Sequence, residues 1–327
     1  MKLLQTTKYG LVAGIFALQT LGAAVAADVP DKPGGFPERP ITMIVPFGAG
    51  GGSDQFARAM AEPMGRIMGV PITVVNKPGG GGRAGIPDFM AAPADGYTIL
   101  EFSDDVLTLY SSGSIDENPT VDWTPIGIGN ITFSQIYIRG DEDRFTDWES
   151  FVEYAEENPG SATMANISHE GSLEVISTRA LLESVGIELQ QVSYDKPTER
   201  YAALVGGHTD TLFEQPGDVA NLLNSGQFKP ILSFLKEAPS SFPDVPTLTD
   251  IGVEFEPIFR VRGMVVRGDV PEERKEYLEA VFKAAYESES FQAFLERKNM
   301  KMLNNYRGRE GSVALIDGMI ETFRNAD

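Results

Sequence analysis

Short apolar runs rich in β-branched residues recur along this chain, separated by stretches whose apolar positions return at helical spacing. Residues 41–45 (ITMIV) predict a strand, followed at once by a glycine-rich turn at 46–54 (PFGAGGGSD). In the next stretch Phe56, Met60, Met64 and Ile67 share one helical face. Pro63 interrupts that helix and is expected to kink it or remove a hydrogen bond, and Gly69 ends it. A second strand at 72–75 runs into 75–82 (VNKPGGGG), a short helix covers 84–92, and a third strand spans 97–100. Ser103, Asp104 and Asp105 follow just past that strand, where open α/β sheets place ligand loops. Strands alternating with helices predict βαβ units and a parallel sheet.

A long apolar, strand-like run at 123–138 suits a crossover between two lobes. Beyond it the alternation resumes: helix 146–157, strand 162–167, then 166–172 (NISHEGS) opening a helix in which Leu173, Ile176, Ala180 and Leu181 share a face. This is a second strand–turn–helix junction of the same kind as the first. Strands at 190–194, 209–214 and 229–234 alternate with helices at 198–205 and 218–224. Residues 255–266 are extended again and can carry the chain back. Two helical stripes close the sequence, one through Tyr277, Leu278, Val281, Phe282 and Ala285, the other through Val313, Ile316, Met319, Ile320 and Phe323. The predicted organisation is two α/β lobes, 28–130 with 257–327 and 131–256.

Residues 1–27 read as a secretory signal: Lys2 and Lys8 precede a short apolar stretch and a small-residue cleavage site near Ala26 or Ala27. The chain has no Cys, which removes disulfides, thiolate nucleophiles and a lipidated N-terminal Cys. Its formal charge is −20, and loss of Lys2 and Lys8 makes it −22. Nucleic acid and acidic membrane surfaces need a basic face and are excluded as partners. An acidic protein that binds an anion needs local positive potential, which helix termini and a few arginines would have to provide.

The turn at 48–53 supplies the first such potential. Strand, glycine turn and helix N-terminus aim backbone N–H groups and the positive end of the helix dipole at one spot. No Lys precedes Ser53, and Ser53 stands where the dinucleotide fingerprint needs Gly, so a nucleotide cofactor is not expected. Ser53 is expected as the N-cap, and Asp54 in the first helical turn with its carboxylate on free N–H groups. A tight turn that binds nothing is the bland alternative. Asp104 and Asp105 read as a loop cap, and no spaced carboxylate or His cluster argues for a metal. The two histidines, His169 and His208, fall in loops, without a Gly-x-Ser-x-Gly elbow. Arg260 and Arg262 share one face of the return strand, either as structural ion pairs or as a guanidinium fork for a substrate carboxylate.

The motifs at 37–41 (PERPI), 45–54, 75–82, 94–98 (ADGYT), 204–207 (LVGG) and 242–247 (FPDVPT) resemble, in order, the substrate-binding proteins of tripartite tricarboxylate transporters, the Bug or TctC-like family. The resemblance spans essentially the whole chain beyond the signal. It implies a periplasmic binding protein of type II-like fold, monomeric and without cofactor, whose two lobes close over a small organic carboxylate. Such a protein hands its ligand to one large and one small integral membrane subunit. In this family two turns meet the ligand from opposite lobes. They match Phe47, Gly48, Ala49, Ser53 and Asp54 on one side and Ser168, His169, Gly171 and Ser172 on the other. With Ser103, Asp104, Tyr194, Glu214 and Arg262 these form the expected site. The chain departs from the family pattern at 167–171, where members often carry small residues, and at Asp195 and Glu214. If His169, Glu170 and Asp195 line the cleft, the ligand carries an amine, a hydroxyl or a protonated group. An exported hydrolase using His169, or a ligand-presenting partner of a sensor kinase, are the rival expectations.

Overall fold

The structure is a computed structural model that describes residues 29–167, 171–301 and 303–325. The signal segment, Ser168, His169 and Glu170 lie outside the described residues.

Two mixed five-stranded sheets organise the chain. The first lobe opens with β1 (Ile41–Val45), α1 (Gly52–Met68), β2 (Ile72–Asn76), α2 (Ile86–Ala91), β3 (Thr98–Ser103), α3 (Asp104–Ser111) and β4 (Trp123–Thr132). The second contains β5 (Gln135–Arg139), α4 (Trp148–Glu157), β6 (Thr163–Ile167), α5 (Leu173–Val185), β7 (Gln190–Tyr194), α6 (Pro197–Val205), β8 (Thr211–Glu214), α7 (Ala220–Asn224) and β9 (Phe228–Ser233). The chain then returns to the first lobe as β10 (Arg260–Arg267), α8 (Glu272–Tyr286), α9 (Glu289–Arg297) and α10 (Arg309–Asn325). Strand order is β2-β1-β3-β10-β4 in one sheet and β7-β6-β8-β5-β9 in the other. β1 pairs in parallel with β2 and β3, whereas β10 enters antiparallel between β3 and β4. The run at 123–138 therefore divides: β4 belongs to one sheet and β5 to the other, with Phe133 and Ser134 between them.

Each sheet is packed on both faces, which is why its inner strands are mostly apolar rather than alternating, with charged exceptions such as Glu101, Glu214, Arg260 and Arg262. In the first lobe, Met43, Phe56, Met60, Met64, Leu278 and Phe282 pack one face, and Phe89, Leu100, Leu107, Ile316 and Phe323 the other. In the second, Phe151, Leu173, Leu181 and Phe213 lie opposite the smaller cluster of Tyr137, Leu204, Leu212 and Phe228. α1 runs through Pro63 and stops at Gly69, whose φ of 70° is a left-handed cap that glycine takes without strain. Asp104 and Asp105, expected as a loop cap, instead open α3. Ser103 ends β3 and caps that helix by accepting from the Asp105 N–H, and both aspartates sit in its first turn.

Among the described residues no helix is long and apolar enough to cross a membrane.

Candidate functional site

The two sheets face each other across a cleft into which β10 projects two arginines. Arg260 and Arg262 alternate onto one side of the strand, as their spacing requires, and both are buried. Phe47, the first turn of α1 (Gly52 and Ser53), Ser103 and Asp105 line the cleft from the first lobe. Ile167, Glu174, Pro197, Arg200, Tyr201, Glu214, Gln215 and Asp218 line it from the second. The space left between them is about 40 Å³. A ligand pocket usually offers about 300 Å³ or more, so the lobes are closed and admit a solute only by parting.

Closure rests on charge. Arg262 donates to Asp218 across the cleft at 2.5 and 3.3 Å, to Gln215 at 3.1 Å, and to Asn130 of its own lobe at 2.9 Å. Arg260 binds Asp104 at 3.0 Å and Asp105 on its own side, and Glu174 of the other lobe at 3.3 Å. Within the second lobe Arg200 grips both oxygens of Glu174, at 2.8 and 2.6 Å, and also Glu214, which accepts from the Tyr201 hydroxyl at 2.8 Å. Gln55 of α1 adds a bond to the Asp218 carbonyl at 3.2 Å.

Glycine permits this approach. A Cβ at Gly51 would lie 2.5 Å from the Pro197 ring, and one at Gly52 would lie 2.1 Å from both Arg262 Nη2 and Asp218 Oδ2. The Asp218 carboxylate therefore sits at the N-terminus of α1, beside a guanidinium. The first N–H groups of a helix have no acceptor within it, so this spot is an anion site by construction.

Burial raises the Glu101 carboxyl, behind Ser53, to about 8, against the pull of Ser53 and Arg262. It raises Asp104 to about 7 even though Arg260 opposes it. Glu174 and Asp218 are likewise pushed up by burial and held back by Arg200 and Arg262 respectively. Among the described residues no group of acids and histidines is placed to hold a metal ion. The clustered carboxylates face arginines instead.

Of the expected site residues, Phe47, Ser53, Ser103, Glu214 and Arg262 line the cleft. Several others take different parts. Ser53 is not the N-cap: the helix starts at Gly52, with Gly51 as a cap that offers no side chain. Gly48 packs against Pro197 and Ala49 is exposed. Asp54 turns back to accept from the Gly50 N–H at 2.9 Å and Asn76 at 3.0 Å, and pairs with Arg58. Burial would raise its pKa, but those bonds bring it below the usual range. Asp104 is buried behind Arg260 and accepts from the Val261 N–H at 2.8 Å. Ser172 caps α5 by accepting from the Val175 N–H, Gly171 precedes it, and Tyr194 packs into the smaller core of the second lobe. Ser168 and His169, with Glu170, lie outside the described residues. Asp195 is exposed and absent from the cleft lining. Among the described residues, the acids that the second lobe brings to the cleft are Glu174, Glu214 and Asp218, of which only Glu214 was expected.

A family model described as the tripartite tricarboxylate transporter family receptor matches residues 56–310. A protein of Cupriavidus necator, the UPF0065 protein in the gbd 5' region, is 28% identical over 244 residues, covering 75% of this chain and 72% of its own. The structure of the periplasmic binding protein BugD superposes with a TM-score of 0.79 at 26% identity, covering 89% of this chain and 97% of that one. MatC from Rhodopseudomonas palustris with bound malate shares the fold, with a TM-score of 0.79 at 22% identity and coverage of 89% and 99%.

Proposed function

Because the chain belongs to the tripartite tricarboxylate transporter receptor family, a family of solute receptors and not of enzymes, we propose that its cleft captures a small organic acid for transfer to a membrane carrier. The observation that carries this reading is the anion site at the N-terminus of α1. Arg262 pairs there with the Asp218 carboxylate, which lies against Gly52 in the first turn of α1 and stands in for the carboxylate of a ligand. When the lobes part, Asp218 leaves with the second lobe and Arg262 keeps its place on β10. A ligand carboxylate then takes the guanidinium fork, and closing over it excludes water and strengthens the bonds. The malate held by MatC, a protein of the same fold, supports an acid as the class of solute. Export by the N-terminal signal would set the protein in the periplasm, facing the two carrier subunits.

Melting curves of the mature chain with millimolar malate, succinate, citrate, adipate and amino acids test this. At least one solute should raise the midpoint by mass action. Flat curves across the panel would count against capture of an acid. A charge-assisted hydrogen bond contributes about 1.5–3 kcal/mol, so Arg262→Gln should weaken the solute that binds by about ten- to hundredfold. Uptake of that solute by cells carrying the transporter subunits should fall with the same substitution; uptake independent of this protein would remove the carrier from the reading.

A further inference from the structure

The two jaws of the cleft are charged unequally. On the first lobe Arg260 is already matched by Asp104 and Asp105, which leaves Arg262 as the cation on offer. Among the described residues of the second lobe a single arginine, Arg200, pairs with Glu174 and Glu214, and no cation of that lobe pairs with Asp218. Among the described residues that line the cavity, four carboxylates (Asp105, Glu174, Glu214 and Asp218) face three guanidinium groups. Lys298 of the first lobe senses Asp218 electrostatically but does not line the cavity.

A solute whose carboxylate takes Arg262 deprives Asp218 of its partner. On closing, the Asp218 carboxylate would be buried beside Glu214 without a cation in contact, Arg260 and Lys298 acting on it only from further off, at the cost that attends any unpaired buried charge. A second carboxylate on the solute would make the imbalance worse. The lining also holds polar atoms without a hydrogen-bond partner: Asp105 Oδ1 as an acceptor, and the Nε–H groups of Arg200, Arg260 and Arg262 as donors. All four side chains are more than nine-tenths buried. An acceptor and donors on the residues of one lining suit a solute that, once the lobes part, both donates and accepts.

Building on capture of an acid at Arg262, we propose that the solute is zwitterionic. Its carboxylate lies on Arg262 and the N-terminus of α1, and an ammonium or similar cation faces Asp218 and Glu214 of the second lobe.

Isothermal titration of the mature chain with pairs matched in length decides it: glutarate against γ-aminobutyrate, adipate against δ-aminovalerate, succinate against β-alanine, with putrescine as a cation-only probe. The amine-bearing member of at least one pair should bind at least tenfold more tightly than its diacid. Asp218→Asn, close to isosteric, should cut that affinity at least tenfold and narrow or reverse the preference, with the melting midpoint of the free protein showing that it still folds. If diacids bind more tightly than their amine partners, the zwitterion is overturned and capture of an acid stands. If an amino acid is preferred but Asp218→Asn leaves its affinity unchanged, the assignment to Asp218 is overturned. Binding of putrescine alone overturns the acid reading and this inference with it; binding of no amine-bearing acid overturns this inference, and the melting panel then decides capture of an acid.

Discussion

Asp218 of the second lobe reaches across the cleft to Arg262 of the first, with Oδ2 2.5 Å from Nη2, and together they hold the molecule shut. Both are buried, and Asp218 lies where the first N–H groups of α1 need an anion. The contact is thus an anion-binding arrangement made within the chain. A solute has to compete with it, so the affinity measured for any ligand includes the cost of breaking this pair.

The arginine on the opposite jaw has a different role. Arg200 contacts Glu174, Glu214 and the face of Tyr201, all within the second lobe. Removing it leaves two buried carboxylates short of a partner, and breaking such a pair costs about 3–5 kcal/mol. Arg200→Ala should lower the unfolding free energy in urea by about that amount. Lys196→Ala, which breaks an exposed pair with Glu199 one turn earlier, should change nothing measurable. A stable Arg200→Ala protein would show that the second lobe reorganises around its acids.

Glu101 makes stability depend on pH. Its folded pKa, about 8, stands above the ordinary value of 4.5 because the carboxyl is fully buried. The folded state therefore holds a proton that the unfolded state releases. This contribution is complete below the unfolded pKa and is lost as pH rises through the folded one. Between about pH 5 and pH 8 it removes up to about 1.4 kcal/mol of stability per pH unit. Asp104, raised to about 7 by burial against the pull of Arg260, works in the same direction over a narrower window. In urea titrations across that range, Glu101→Gln should show a shallower decline than the parent and be the more stable of the two at the alkaline end. Parallel slopes would mean that Glu101 is ionised in the folded protein.

Much of this was legible in the sequence. The strand, glycine turn and helix at 41–68 could be read directly, because β-branched residues, glycines and a helical stripe follow one another without ambiguity. Arg260 and Arg262 could be placed on one face by alternation alone. α3 was missed although its signal was present: Ser103 followed by two acids is a cap and an acidic first turn. Arg200 also left a trace, since it shares a face with Ala203 and Leu204, both buried as it is. Asp218 left none. Its importance arises only when the lobes meet, through two residues 44 positions apart, and no local pattern carries that information. The same holds for Asp195, whose charge stood out in the sequence but whose side chain is exposed outside the cleft.

Gly52 offers a test of closure that leaves the chemistry of both jaws intact. Its backbone is not among the positive-φ glycines, so alanine meets no conformational penalty there. In the open protein the added methyl group faces solvent, and a helical Gly→Ala change is favourable by up to about 1 kcal/mol. In the closed protein that methyl group would lie 2.1 Å from Arg262 Nη2 and Asp218 Oδ2. One of those side chains, or the whole second lobe, then has to withdraw. Gly52→Ala should therefore melt no lower than the parent, while its solute affinity falls by at least tenfold and its radius of gyration in small-angle scattering rises toward that of an open form. Affinity equal to the parent's would show that the solute-bound cleft is wider at α1 than the closed form, and that the ligand does not draw Arg262 onto the helix N-terminus.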